Sequence, residues 1–111
     1  MSLAALTPAE LEVVRRAMKA SLVFIGAGFD ARMGITQDQM EVLLAAWPNV
    51  DDTADDSDAC LAINNALNDL LHGVGIKDAE ARQHVGVGRD EMVRVYHKWA
   101  LARGWSRAGV R

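Results

Sequence analysis

Cysteine is almost absent from this chain of 111 residues, and its scarcity excludes two ways of stabilising a small domain. The lone Cys60 has no second cysteine with which to form an internal disulfide, and no Cys-x-x-Cys pair can hold a structural zinc ion. A single cysteine is typical of a reducing compartment, and the first residues lack the basic and apolar regions of a secretory signal. We therefore expect a cytoplasmic protein.

Proline, aromatic residues and long apolar runs are also scarce. The chain has two prolines, 5% aromatic residues and few runs of β-branched residues, which argues against an all-β domain. No apolar run approaches the roughly 20 residues that a membrane-spanning helix needs, so we expect no membrane partner. Half of the residues are hydrophobic, and Ala, Leu, Met, Glu and Arg favour helices. The composition predicts an all-α protein.

Capping residues and apolar periodicity divide the chain into helices. Thr7, Pro8 and Glu10 form a helix start with a capping box. Apolar residues then recur every three or four positions as far as Ile25, so the first helix continues through the apolar letters SLVFI. Applied along the chain, the same reasoning predicts a compact bundle of about five helices, at approximately 8–25, 37–47, 58–72, 78–84 and 90–103.

The segment NVDDTADDSDA, between the second and third predicted helices, carries five aspartates within eight residues. Its alternating carboxylates resemble a calcium loop. Counted from Asp51, however, the sixth position is Asp56 rather than glycine, and the twelfth is Ala62 rather than glutamate. We expect residues 49–57 to be a solvated acidic linker within a single helical domain, 1–111, and we expect no metal site.

A glycine-rich stretch follows the first predicted helix. Residues 26–31 match the loose Gly-x-Gly-x-x-Ala form of the dinucleotide fingerprint, and the string GAGFDARMGI resembles the cofactor loop of sirtuin-type NAD-dependent deacylases. The resemblance implies NAD binding, but Asp30 and Thr36 stand where that family has serine and proline. The helical stripe before the loop also leaves no strand for the βαβ frame of a phosphate loop. We therefore expect no cofactor and interpret the stretch as a tight inter-helix bend with Phe29 buried.

Charge is distributed unevenly along the chain. The net charge is −3, but residues 1–76 carry eleven acidic and four basic groups, net −7. Residues 77–111 carry eight basic and four acidic groups, net +4. The C-terminal third is therefore the part with an attraction for polyanions, although the two parts can equally complement each other within the fold.

The segment 79–104 resembles a bacterial helix-turn-helix, with a short helix, a glycine-containing turn and a longer basic helix. The small and apolar residues that carry the resemblance are Ala81, Val85, Gly86, Val87, Met92 and Val95. The resemblance implies DNA binding, with Arg89, Arg94 and Lys98 as phosphate contacts. The two carboxylates that follow Arg89 depart from that role, because they would repel phosphates at the start of the recognition helix.

No catalytic constellation is recognisable in the sequence. The histidines at 72, 84 and 97 are scattered, and none belongs to a pattern such as His-Glu-x-x-His. Cys60 has no sequence neighbour that would lower its pKa, and the serines lack the context of a nucleophile. We therefore predict no catalytic residues and no enzymatic activity.

The main functional hypothesis is a small soluble interaction or regulatory protein that works through helix faces. The first helix carries a second apolar set, which consists of Val13, Ala17, Ala20 and Phe24. A helix with two apolar faces is either central in the fold or half of a dimer interface. An exposed tryptophan would mark an anchor for a partner. A protein partner or a second copy is thus the expected partner, and DNA binding through 79–104 is the alternative.

Overall fold

Between residues 2 and 105, the residues that the computed structural model describes, all regular elements are helical. In chain order they are a 3₁₀-helix at Ser2–Ala5, α1 at Pro8–Phe24, α2 at Phe29–Met33, α3 at Gln37–Ala46, α4 at Asp58–Asn68 with a π-helical turn at Asp69–Gly73, α5 at Asp78–His84 and α6 at Arg89–Ala102. The predicted all-α class is confirmed, and each of the five expected helices is present. Met1 and residues 106–111, at the ends of the predicted domain 1–111, lie outside the described residues.

Helix α1 is the central element of the fold. Its start is the predicted capping box, in which Glu10 N donates to Thr7 Oγ1 at 3.2 Å and Thr7 N donates to Glu10 Oε1 at 2.8 Å. α1 contacts α3, α4, α5 and α6. Both apolar sets of α1 contribute buried residues, which are Val13, Val14, Ala17, Met18 and Ala20. Of the two roles that the sequence left open for this helix, the structure shows the central one.

The core lies where α1 meets the apolar faces of α4 and α6. Its largest fully buried side chains are Trp99 and Tyr96 of α6. Tyr96 donates its hydroxyl to Asn64 Oδ1 on α4 at 2.5 Å, and burial raises the pKa of this phenol. Cys60 is buried on the same face of α4, where a small apolar side chain is accommodated.

The glycine stretch ends α1 as expected but does not form a simple bend. Gly26 has a φ of 62°, a left-handed conformation that only glycine adopts without strain. The chain then makes the short helix α2, which is flanked by Gly28 and Gly34 in the same left-handed region. Phe29 is buried at the start of α2, so its predicted place in the core is confirmed. The additional helix, which the bend interpretation did not include, is held by Asn65 of α4, whose Nδ2 donates to Met33 O at 2.7 Å.

The acidic segment is less solvated than the sequence suggested. Asp51, Asp55, Asp56 and Asp58 are exposed, as expected for a linker. Asp52, however, is fully buried, and its Oδ2 accepts from Ser2 Oγ at 2.5 Å and from Trp99 Nε1 at 2.9 Å. The prediction of a solvated linker was therefore wrong at Asp52, because this carboxylate is the polar partner of groups distant in sequence that the fold buries.

Candidate interaction surface

A stripe on the outer side of α1 is the base of the candidate interaction surface. Arg15, Lys19 and Val23 follow one another at intervals of four residues, which places them on one face of the helix. Val23 is 66% exposed although it belongs to the most central helix of the fold. We call these three residues the α1 ridge.

A partly apolar hollow of about 430 Å³ lies between the α1 ridge and α3. Besides the ridge residues it is lined by Leu22, Glu41, Leu44 and Ala45. Leu22 and Leu44 are half-buried and form its apolar floor, while Glu41 is exposed on the α3 side. We call this site the α1–α3 hollow. It combines exposed apolar surface with charges of opposite sign on its two rims.

A second hollow of about 350 Å³ lies on the other side of the ridge, against α5. It adds Arg16, Ala20, Gln83 and His84 to the ridge residues. His84 is held edge-on against Phe24, with ring centroids 4.9 Å apart. The lining is more polar and more basic than that of the α1–α3 hollow.

The charges along the ridge are only partly neutralised within the protein. Glu12 accepts from Arg15 Nη2 at 2.6 Å and from Arg16 Nε at 3.0 Å. The bond from Arg15, assisted by Arg16, lowers the pKa of Glu12 to about 2 despite the opposing effect of desolvation. The ammonium group of Lys19 is exposed and has no hydrogen-bond or ion-pair partner among residues 2–105. The ridge therefore presents unpaired positive charge beside an exposed valine.

The three residues expected to contact DNA phosphates all have partners inside the protein. Arg89 donates through Nη1 to Ile76 O at 2.6 Å and through Nη2 to Leu71 O at 2.7 Å. Arg94 Nη2 and Lys98 Nζ lie 2.9 and 2.7 Å from the two carboxylate oxygens of the buried Glu10, and Arg94 also pairs with Glu91. Arg89 bonds to backbone carbonyl groups, whereas Arg94 and Lys98 pair with a carboxylate. These contacts give each of the three side chains a structural role.

A glycine-containing turn joins α5 to α6. Ala81 and Val85 are buried, and Gly86 adopts a left-handed φ of 90°. Asp78 accepts from Arg82 Nε and from the backbone N–H of Arg89, so it caps the start of α6, and these two bonds lower its pKa. The surface beside this turn is a polar hollow of about 630 Å³. Carboxylates of Asp78 and of the first turn of α6 face it.

The glycine stretch lines the largest described hollow, of about 730 Å³. Residues 26–31 and 36–38 surround it. The element before it is α1 rather than a strand, so the βαβ frame of a dinucleotide loop is missing here. The start of α3 is already capped by Thr36, and the carboxylates of Asp30 and Asp38 lie on the rim. Negative charge at that place is unfavourable for a phosphate.

A buried polar cluster joins the acidic segment to the end of α6. Arg103 bonds to Ser2 Oγ at 2.9 Å and to the backbone carbonyl of Asp52, whose Oδ2 lies 3.3 Å from Nη1. The guanidinium also lies 5.1 and 5.2 Å from the ring centroids of Trp99 and Trp105. Sequence reasoning missed this cluster. Its only signal was that Asp52 lies two residues after the apolar Val50, which is also buried.

The histidines and the cysteine lie on different elements of the described part of the chain. His72 and His97 are exposed on different elements, and Cys60 is buried in the core. Within residues 2–105, no cluster of three or more histidine, cysteine, aspartate or glutamate side chains has a metal-binding arrangement. None of the described helices is both long enough and apolar enough to cross a bilayer.

Trp99 and Trp105 are buried, and the half-buried Trp47 donates its Nε1 to Leu11 O at 3.2 Å.

The fold and surfaces described above define a small all-α domain with a partly apolar hollow on its central helix. No protein-family model, no curated protein and no solved structure matches this chain.

Proposed function

We propose that this protein is a non-enzymatic interaction protein whose contact face is the α1–α3 hollow and the α1 ridge. The observation that carries the proposal is the place of the exposed Val23 beside the half-buried Leu22 and Leu44 at one hollow. Val23 lies on the exposed side of the central helix α1, whose opposite side packs in the core. Beside it lie half-buried leucines and an unpaired lysine. Apolar surface within a polar rim is typical of protein-binding sites.

The α1–α3 hollow supports this proposal better than the other hollows do. The hollow at the glycine stretch and the hollow beside the α5–α6 turn offer less apolar lining than the α1–α3 hollow does. Burial of apolar side chains is the main favourable contribution to most protein association. Val23, Leu22 and Leu44 supply such side chains at one place. The proposal includes a cytoplasmic location, because a single cysteine is typical of a reducing compartment.

Site-specific photo-crosslinking in the cells that make the protein tests the proposal. A photo-crosslinking amino acid in place of Val23 is expected to give covalent adducts with a partner protein. The same amino acid in place of Val93, which is 45% exposed on α6 and lines none of the hollows described above, is the matched control. Equal adduct yields at the two positions would contradict an interaction face at α1.

DNA binding through 79–104 remains the alternative, and the local form of its turn favours it. The engagement of Arg94 and Lys98 by Glu10 weighs against it, because a phosphate would have to compete with a buried carboxylate. Titration of generic duplex DNA at about 50 and 200 mM salt separates the two functions, since phosphate contacts lose affinity steeply over that range. Salt-sensitive binding that falls when Arg89 and Arg94 are both replaced with alanine, in a variant whose helical circular dichroism spectrum is unchanged, would favour the alternative.

A further inference from the structure

We infer that the occupant of the α1–α3 hollow is an amphipathic helix of a partner protein, with carboxylates on the flank that faces α1. The inference rests on the proposed function and adds the chemistry of the partner. It depends on the shape of the hollow, on the backbone that surrounds it and on the charges of its two rims.

The surrounding backbone favours a helix over an extended peptide. An extended peptide is commonly bound by adding a strand to a sheet edge, through unpaired backbone groups. Residues 2–105 contain no sheet edge, and both walls of the hollow are helices, in which the backbone groups before the last turn are paired within the helix. Side chains therefore supply the main contact surface. An amphipathic helix laid between two helices is the arrangement that uses side chains alone.

The length of the α1 ridge along the hollow limits how much of a partner helix the site can hold. From Arg15 to Val23 the α1 ridge spans eight residues, about 12 Å at a rise of roughly 1.5 Å per residue. That length corresponds to just over two helical turns. It accommodates two apolar anchors spaced by three or four residues, which would lie on Leu22, Val23 and Leu44.

The two rims of the hollow carry opposite charge, and this difference determines which charged flank of the partner helix faces α1. Lys19 and Arg15 lie on the α1 rim, whereas Glu41 lies on the α3 rim. Arg15 shares Glu12 with Arg16, so Lys19 is the cation with unused pairing capacity. A partner helix with acidic residues toward α1 and basic or neutral residues toward α3 matches both rims. A helix with the reverse arrangement meets like charge on both sides.

Two designed peptides of about 14 residues test this inference directly. Both carry leucine anchors at positions i and i+4. One has glutamates on the flank predicted to face α1 and lysines on the other, and the second exchanges the two flanks. Fluorescence anisotropy measures affinity, and amide chemical-shift mapping locates the contact. The first peptide is expected to bind more tightly and to shift Leu22, Val23, Leu44 and Ala45.

Charge reversal at the rim provides the specificity control. Lys19→Glu is expected to weaken binding of the first peptide about fivefold, the range for exchanging an exposed attraction for a repulsion, and to strengthen binding of the second. Lys77→Glu makes the same charge change at an exposed lysine that lines none of the hollows, and should leave both affinities unchanged. Val23→Glu should abolish binding of the first peptide, while Val93→Glu should not.

The possible results separate this inference from the function on which it rests. Equal affinities for the two peptides, no binding by either, or shifts centred elsewhere would overturn the inference. If adducts nevertheless form at position 23 in cells, the interaction function stands with an occupant of different chemistry. If the segment crosslinked at position 23 is an acidic amphipathic helix, both conclusions are supported.

Discussion

At the scale of single residues, Glu10 shows how one side chain can act both locally and at long range. Its carboxylate completes the capping box of α1 by accepting from Thr7 N. The same carboxylate, nearly buried, pairs with Lys98 and Arg94 of α6. The bond from Lys98, followed by that from Thr7, lowers the pKa of Glu10 to about 2. A residue that the sequence marks as a helix cap thus also joins the first and last helices.

Replacing Glu10 tests this dual role. Glu10→Gln is expected to destabilise the protein by about 1–2 kcal/mol near neutral pH, because bonds to a charged acceptor are replaced by weaker neutral ones. The folded pKa of Glu10 lies below its ordinary value of 4.5, so its stabilisation is complete above about pH 4.5 and is lost as the pH falls towards 2. Urea unfolding at pH 7 and pH 3 measures the difference between wild type and variant, which should shrink at pH 3.

Glu41→Gln is the matched control for Glu10→Gln. Glu41 is exposed and has no recorded ion pair or hydrogen bond through its side chain within residues 2–105. Its replacement is expected to change stability by no more than about 0.5 kcal/mol at either pH. A difference for Glu10→Gln that stays constant between pH 7 and pH 3 would contradict the assignment of the depressed pKa to the folded state.

Asp52 provides a second test at this scale. Asp52→Ala removes a fully buried carboxylate, leaves Ser2 Oγ and Trp99 Nε1 without their acceptor and takes from Arg103 one of its two carboxylate partners. The expected cost is about 3 kcal/mol, the range for breaking a buried charged pair from one side. Asp56→Ala, at an exposed aspartate of the same segment, should change stability by less than about 0.5 kcal/mol. Denaturant unfolding compares them, and similar small effects would show that Asp52 is solvated.

At the scale of elements, the π-helical turn after α4 depends on a glycine for steric reasons. A Cβ atom at Gly73 would lie 1.6 Å from Asp69 Oδ1 and 2.9 Å from Arg32 Nη2. Those two groups form the ion pair, at 2.6 Å, that connects this turn to α2. The glycine is therefore required by a close approach between elements.

Gly73→Ala is expected to destabilise the protein by about 1–3 kcal/mol, the usual cost of overpacking. Asp69→Ala removes the group with which the new methyl collides. In that background, the additional cost of Gly73→Ala should fall to a few tenths of a kcal/mol. A double-mutant cycle measured by urea unfolding gives the coupling. Additive effects of the two substitutions would mean that the alanine acts through the backbone and not through Asp69.

At the scale of the whole molecule, the uneven charge of the sequence is used in part to join its two ends. Basic residues of α6 and its C-terminal cap pair with acidic residues from the first half of the chain. The pairs are Arg94 and Lys98 with Glu10, and Arg103 with Asp52 and Asp55. The internal use of charge that the sequence allowed is therefore present in the described residues.

The oligomeric state is also a property of the whole molecule. Because most residues of both apolar sets of α1 are buried within one chain, we expect a monomer when no partner is present. Multi-angle light scattering over a range of about 10 to 500 μM measures this, a span that would reveal dimers of micromolar affinity. A dimer that dissociates in the Val23→Glu variant but persists in Val93→Glu would make a second copy the occupant of the α1–α3 hollow.

The helices and their caps were predictable because their causes are local. Thr7 and Thr36 accept from backbone groups three residues away, and apolar spacing of three or four residues marks each buried face. The burial of Phe29 followed from its position between two helices. The site was less predictable. The hypothesis of an interaction protein rested on the second apolar set of α1, but the structure buries Val13, Ala17 and Ala20 of that set. The exposed Val23 belongs to neither apolar set.

The sequence by itself determined the helical class and the positions of the five longer helices, since these depend on contacts within a few residues. The central role of α1 was decided by its packing against α3, α4, α5 and α6. Only the tertiary structure decided that Asp52 is buried, because its partners lie 47 and 50 positions away. Tertiary structure likewise gave Lys98 a carboxylate partner 88 positions away. The α1–α3 hollow likewise depends on tertiary packing. Its two rims belong to different helices, and only their packing brings Lys19, Val23 and Glu41 around one cavity.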